Sequence, residues 1–189
     1  MGQNIEVWYL AHSGFAVDLG NDFLIFDYYL DTCDKEPRSL SAGVIVPEDI
    51  QDKRVCIFSS HRHPDHFNPV ILSWKEKLSH AEYFLSSDIP KAYHREWIHS
   101  LRPNEGYEEN GLKIHTFKST DEGVAFLVTL NGLHIYHAGD LNWWHWNEEP
   151  AGWNRDMAAR FKHEIALIEN FPVDIAFLTA DPRQEDAEL

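Results

Sequence analysis

The densest chemistry in this sequence lies in six consecutive residues, His61-Arg62-His63-Pro64-Asp65-His66. Imidazole nitrogens and carboxylate oxygens are the groups through which proteins hold zinc, manganese and iron. The apolar run Val55-Cys56-Ile57-Phe58 leads straight into them, which places the ligands at the end of a buried strand, on a rigid support. His61 and His63 are two apart, and in an extended segment such side chains share a face, so they can share one ion. A turn after Pro64 would aim Asp65 and His66 at a second. A distant carboxylate could bridge the two ions, and Asp140 is the obvious choice: it closes the run Ile135-Tyr136-His137-Ala138 and follows Gly139, which permits close backbone approach. Two ions about 3.5–4 Å apart can hold a hydroxide that is nucleophilic at neutral pH and clamp the oxygens of a reacting group. The plain competitors are a solvated histidine-rich loop for the cluster and a turn cap for Asp140.

The elements that must position these residues are mostly strands. Ile5 to Leu10, Phe15 to Leu19 and Phe23 to Tyr29 are short apolar runs separated by turn residues, the pattern of an antiparallel meander. Residues 31–43 are polar and read as a surface loop. Asn68 with Pro69 opens a helix expected to reach about Lys77. Tyr83 to Leu85 is a strand, and Pro90 opens a second helix expected to reach about His99. Leu112 to Phe117, Val124 to Leu130 and Leu133 to Ala138 are strands, the last two joined by Asn131-Gly132, a type I′ hairpin signal. Met157, Phe161, Ile165 and Ile168 form the apolar stripe of a helix from about Trp153 to Glu169. Val173 to Leu178 is a final strand. Strands first, then strands mixed with helices, give two sheets covered by helices.

The bulk numbers bound the rest. With 189 residues and 43% hydrophobic content, residues 1–189 are read as a single globular domain with a core of its own. The net charge of −15 repels phosphate backbones, so no nucleic-acid partner is expected. A small anionic substrate remains compatible with a local metal charge. Cys33 and Cys56 do not form a Cys-x-x-Cys pair, and no disulfide framework is implied. The N-terminus lacks a signal-peptide pattern and no apolar run approaches membrane-spanning length. The expectation is a cytoplasmic protein with no membrane partner.

These residues resemble the metallo-β-lactamase superfamily, whose signature His-x-His-x-Asp-His is His61 to His66 here. Tyr9-Leu10-Ala11-His12-Ser13-Gly14-Phe15, Leu24-Ile25-Phe26-Asp27 and Ile135 to Asp140 are also similar to that superfamily. The likeness is nearest its cytoplasmic branch of metal-dependent hydrolases, which includes ascorbate-phosphate lactonase-like proteins. The resemblance implies an α+β fold, a four-layer αββα sandwich with a dinuclear site at one edge of the sheets. His61 and His63 would bind one ion, Asp65 and His66 the other, and Asp140 would bridge. Two zinc ions are implied, with manganese or iron as alternatives. The chain departs from the pattern twice. Phe117-Lys118-Ser119-Thr120-Asp121-Glu122-Gly123 carries no histidine where the superfamily supplies one to the first ion, so Asp121, His115 or a water would substitute. No last strand with a last histidine follows Val173 to Leu178. The sandwich is therefore expected to be C-terminally shortened and to lack its last strand, the alternative being a reduced site.

Further residues fall near this constellation. In Leu141-Asn142-Trp143-Trp144-His145-Trp146-Asn147, Trp143 and Trp144 could wall a substrate pocket and His145 could replace a ligand, against the reading of a packed aromatic corner. His12 is a possible pocket residue or substitute ligand, against a turn hydrogen bond. Asp27 is read as bracing a ligand histidine, against a strand-end cap. His80, His94, His99 and His163 fall on or near helices, expected exposed. There is no GxGxxG, Walker A, GxSxG or Cys-x-x-Cys motif. The function expected is a metal-dependent hydrolase in which a metal-bound hydroxide, oriented by Asp65, attacks an ester, lactone or phosphoester of a small molecule. The alternatives are an iron-dependent redox enzyme on the same scaffold and a non-catalytic metal-binding module. Oligomerisation through an unpaired last strand is possible.

Overall fold

Short apolar runs at the start of the chain make three short strands, and they do form a meander. β1 (Glu6–Ala11) pairs antiparallel with β2 (Gly14–Asp18), and β2 with β3 (Asp22–Phe26). The structure, a computed structural model, describes residues 4–34 and 37–184. It divides into two units, Met1–Leu101 and Arg102–Leu189. Each holds one sheet, so the class is mixed α+β with two sheets and few helices. The acidic stretch Glu185 to Glu188, expected to be a solvated end, lies outside the described residues.

In the first unit the sheet continues in parallel from β3 to β4 (Arg54–Ser59), β5 (Glu82–Ser86) and β6 (Ile98–Leu101). Parallel central strands bury both faces, which is why β4 reads as an unbroken apolar run rather than an alternation. Phe23, Ile25, Val55, Ile57, Tyr83 and Leu85 point to one face, where Ile71, Trp74 and Leu78 cover them. Cys56 points to the other, wholly buried, and burial pushes its thiol up to about 12.

On that second face the register sets Phe26 beside Phe58, Phe58 beside Phe84, and Phe84 beside His99. The rings stack in sequence at centroid distances of 4.8, 5.2 and 5.0 Å. A one-residue slip would turn each ring to the opposite face, so this ladder fixes where strands β3 to β6 end. The expected helix from Pro90 to His99 does not form. A single 3-10 turn at Lys91–Tyr93 gives way to β6, because pairing with β5 and the ring of Phe84 outweigh a weak local preference. The helix expected from Asn68 is also short. Asn68 Oδ1 does accept the Val70 N–H at 2.9 Å, but α1 spans only Val70–Ser73 before tightening into a 3-10 turn at Trp74–Glu76. Val70, Ile71 and Ser73 are weak helix formers.

The second unit carries β7 (Gly106–Glu109), β8 (Leu112–Lys118), β9 (Val124–Leu130) and β10 (Leu133–His137) in antiparallel order, with β11 (Ile175–Phe177) added parallel to β10. Asn131 and Gly132 both take positive φ, 55° and 80°, as a type I′ turn requires. Helix α2 (Ala151–Ile168) lays Phe161, Ile165 and Ile168 on Phe117, Leu127 and Tyr136, the stripe expected from the sequence. Its buried Glu164 accepts the Lys118 N–H at 3.1 Å. Among the described residues, no helix is long and apolar enough to cross a membrane.

Candidate metal centre

Because Phe26 and Phe58 are in register, the residues just beyond them leave the sheet side by side. The Asp27 N–H donates to Phe58 O at 2.9 Å, and the chain then turns through φ 44° at Asp27. This seats a wholly buried carboxylate against Ser60. Asp27 Oδ1 accepts the Ser60 N–H at 2.7 Å. Its Oδ2 accepts the Ser60 hydroxyl at 2.6 Å and His66 Nδ1–H at 2.7 Å. A hydroxyl has one proton to give. With that proton on the Asp27 side, Ser60 Oγ is the acceptor for His61 Nδ1, 3.0 Å away. His61 and His66 therefore both carry their proton on Nδ1 and their lone pair on Nε2, the tautomer a metal ligand needs. Asp27 does brace a histidine, as expected. That it governs a second one through Ser60 was not foreseen from the sequence.

The loop after β4 brings the remaining histidine and Asp65 to the same place. His63 O accepts the N–H groups of His66 and Phe67, both at 3.0 Å, closing the turn expected after Pro64. Arg62 N–H donates to Asp88 Oδ2 at 3.1 Å and pins the other side. His61 Nε2 lies 3.0 Å from His63 Nδ1, and the His61 and His66 rings are 4.0 Å apart. The β1–β2 hairpin contributes His12, whose Nε2 lies 3.4 Å from Asp65 Oδ2. Donor atoms of His12, Asp65 and His66 all fall within 4.8 Å of one another. Glycine is required at Gly14: a Cβ there would lie 2.9 Å from Ala11 O and 3.0 Å from Asp27 O.

In the second unit the loops after β8 and β10 are knitted together. Thr120 Oγ1 donates to Asn142 O at 2.6 Å and accepts the Asn142 N–H at 3.0 Å. Trp144 Nε1–H donates to Asp140 O at 3.2 Å. Asp140 follows Gly139, whose φ is 53°, and its carboxylate comes within 4.8 Å of that of Asp121. His115 lies elsewhere, packed between Phe117 and Phe171 at 4.7 and 5.0 Å, and burial lowers its pKa. His145 and Trp143 line an open pocket of about 470 Å³ with Asn147, Glu149, Asn154 and Arg155. His145 joins no group of three or more potential metal ligands among the described residues. Trp143 packs on Phe161, with Lys162 over its ring at 4.4 Å, and Trp144 stacks with Trp146. Trp143 thus packs in the aromatic corner and also lines the pocket, whereas Trp144 does not line it.

His, His and Asp donors suit a borderline divalent cation, and histidines already held in the ligand tautomer fit one. No family model matches the sequence, and no curated protein matches it. Solved structures do. A candidate metal-dependent hydrolase from Parabacteroides distasonis aligns over 96% of this chain and 72% of its own, with 14% identity and a TM-score of 0.58. A metallo-β-lactamase from Cronobacter sakazakii aligns over 90% of this chain and 69% of its own, with 14% identity and a TM-score of 0.52. The chain has the metallo-β-lactamase fold. The same fold is shared with CmlA, a diiron β-hydroxylase from Streptomyces venezuelae, over 93% of this chain but 34% of that one, at 11% identity and a TM-score of 0.55. A metallo-β-lactamase fold with this cluster at its strand ends has a candidate metal site, and the residue overlooked in the sequence is Ser60. Its signal was available: a small hydroxyl residue between a buried strand and the first ligand.

Proposed function

We propose that this chain is a metal-dependent hydrolase acting on an ester, lactone or phosphoester of a small molecule. The observation that carries the reading is the proton chain from His61 through Ser60 to Asp27 and back from His66. It spends a buried carboxylate on fixing two imidazoles with their Nε2 lone pairs presented, an arrangement of use to a cation and of little use to packing alone. His61 and His63 are assigned to one zinc-class ion, Asp65 and His66 to a second, and Asp140 to the bridging position, with Asp121 as the substitute for the ligand histidine missing before Gly123. The metals would supply Lewis acidity and a water of lowered pKa. Asp65, half exposed, orients the nucleophile, and Trp143 and His145 offer a wall for substrate. The acidic surface argues against nucleic acid as substrate or partner, and a cytoplasmic location fits the reading.

The fold shared with a diiron hydroxylase keeps iron-dependent redox chemistry as the second reading. The test is metal content and turnover on full-length protein purified without tag or chelator. Zinc or manganese with hydrolysis of esters, lactones or phosphodiesters supports the first reading. A coloured, iron-loaded protein that consumes oxygen supports the second. His63→Ala should lower hydrolysis by about 10³-fold, as expected for losing several kcal/mol of metal-derived stabilisation, with an unchanged far-UV circular dichroism spectrum. Full activity in that variant would overturn the hydrolase assignment.

A further inference from the structure

We infer that His12 is a metal ligand, completing with Asp65 and His66 a three-residue site for a divalent cation of the zinc, cobalt or manganese class. The inference rests on the metal-dependent reading above and deepens it. Three independent features of the first unit converge on it.

The first is spacing. Bonds of 2.0–2.1 Å in a tetrahedral zinc site put neighbouring ligand atoms about 3.3–3.4 Å apart. His12 Nε2 and Asp65 Oδ2 are 3.4 Å apart, longer than the roughly 2.9–3.0 Å at which N–H···O bonds cluster. Asp65 is the one polar partner of the His12 ring among the described residues, which removes the alternative of a hydrogen bond to the turn.

The second is orientation. The His66 ring is wholly buried and locked by Asp27 with its lone pair on Nε2. The His12 ring meets it edge-on at 4.9 Å, with Tyr29 edge-on at 6.1 Å on the other side. The two imidazoles are steered by these contacts rather than left to solvent.

The third is strain. His12 takes φ 49° and Ala11 φ 152°, conformations that side-chain-bearing residues rarely adopt. They sit where the β1–β2 register shifts between Tyr9 and Ala11. Glycine or asparagine would adopt the His12 conformation at lower cost. Histidine is among the few side chains that visit this region, and here the turn carries its ring to within 3.4 Å of Asp65. Three protein ligands, with His12 and Asp65 about half exposed, leave coordination positions open to water or substrate, as catalytic rather than structural zinc sites do.

The experiment is a cobalt titration of the full chain, followed by visible absorption and checked by elemental analysis, on wild type, His12→Gly, His12→Asn and Asp65→Asn. Wild type is expected to bind cobalt. Both His12 variants should lose affinity for one ion by about 10²-fold, as Asp65→Asn should. The thermal midpoint of the metal-free protein should be unchanged or higher in His12→Gly, since the backbone strain is relieved. A merely structural histidine would give the reverse: lower stability and unchanged cobalt affinity. That result would overturn the role of His12 while leaving the metal-dependent reading standing. Wild-type protein that binds no cobalt would overturn the reading and the inference together.

Discussion

Asp27 Oδ2 and His66 Nδ1 are 2.7 Å apart, and both side chains are wholly buried. The pair joins the end of β3 to the loop after β4, so one contact couples the sheet to the candidate metal centre. Asp27→Asn tests it. Asparagine tolerates the φ of 44°, so the backbone should persist. An amide oxygen cannot serve as the ionised acceptor for three donors. Metal affinity is expected to fall 10–100-fold, the usual cost of removing a carboxylate behind a ligand histidine. Cobalt titration with circular dichroism checks both halves. Ser60→Ala should give a smaller loss, confined to the ion proposed for His61.

Gly14→Ala addresses the close approach of the β1–β2 hairpin to Asp27. Its Cβ would lie 2.9 and 3.0 Å from two backbone oxygens, neither of which can swing aside like a flexible side chain. Destabilisation of about 1–3 kcal/mol is expected from the overpacking. Chemical denaturation measures it, and an unchanged midpoint would show that the hairpin moves freely.

His115 predicts a pH dependence of stability within the second unit. Burial between Phe117 and Phe171 holds its pKa below the ordinary value of 6.5. The unfolded chain then binds more protons than the folded one as pH falls through that value, so stability declines on acidification. His115→Phe should flatten the decline below about pH 6.5 in thermal melts recorded from pH 8 to 5. Variant and wild-type curves that stay parallel would remove His115 as a cause.

Much of this was legible in the sequence because it lies in local patterns. His61 to His66 shows its donor types and spacing, Asn131-Gly132 its turn, and Phe161, Ile165 and Ile168 their helical stripe. What was missed depends on partners distant in sequence. β6 is extended because β5 is there to pair with it, so His99 stacks on Phe84 instead of lying on an exposed helix. β7 is polar, with Tyr107 its one aromatic, and gave no alternation to read. Asn110-Gly111 announced its hairpin in the same dipeptide, with φ of 49° and 80°, and was overlooked. The role of Ser60 needed the register of β3 against β4, which no local pattern encodes.

The aromatic ladder through Phe26, Phe58, Phe84 and His99 has a consequence for how the protein matures. Asp27 and Ser60 are separated by 33 residues, and they meet only in a chain whose parallel strands have already aligned. Non-local pairings of this kind form slowly, because loop closure precedes any reward. A cation arriving early would find histidines with unset tautomers and no carboxylate behind them. Ion capture and strand alignment are then linked equilibria, and the rate of cobalt uptake during refolding becomes a clock for the moment the first sheet locks into register.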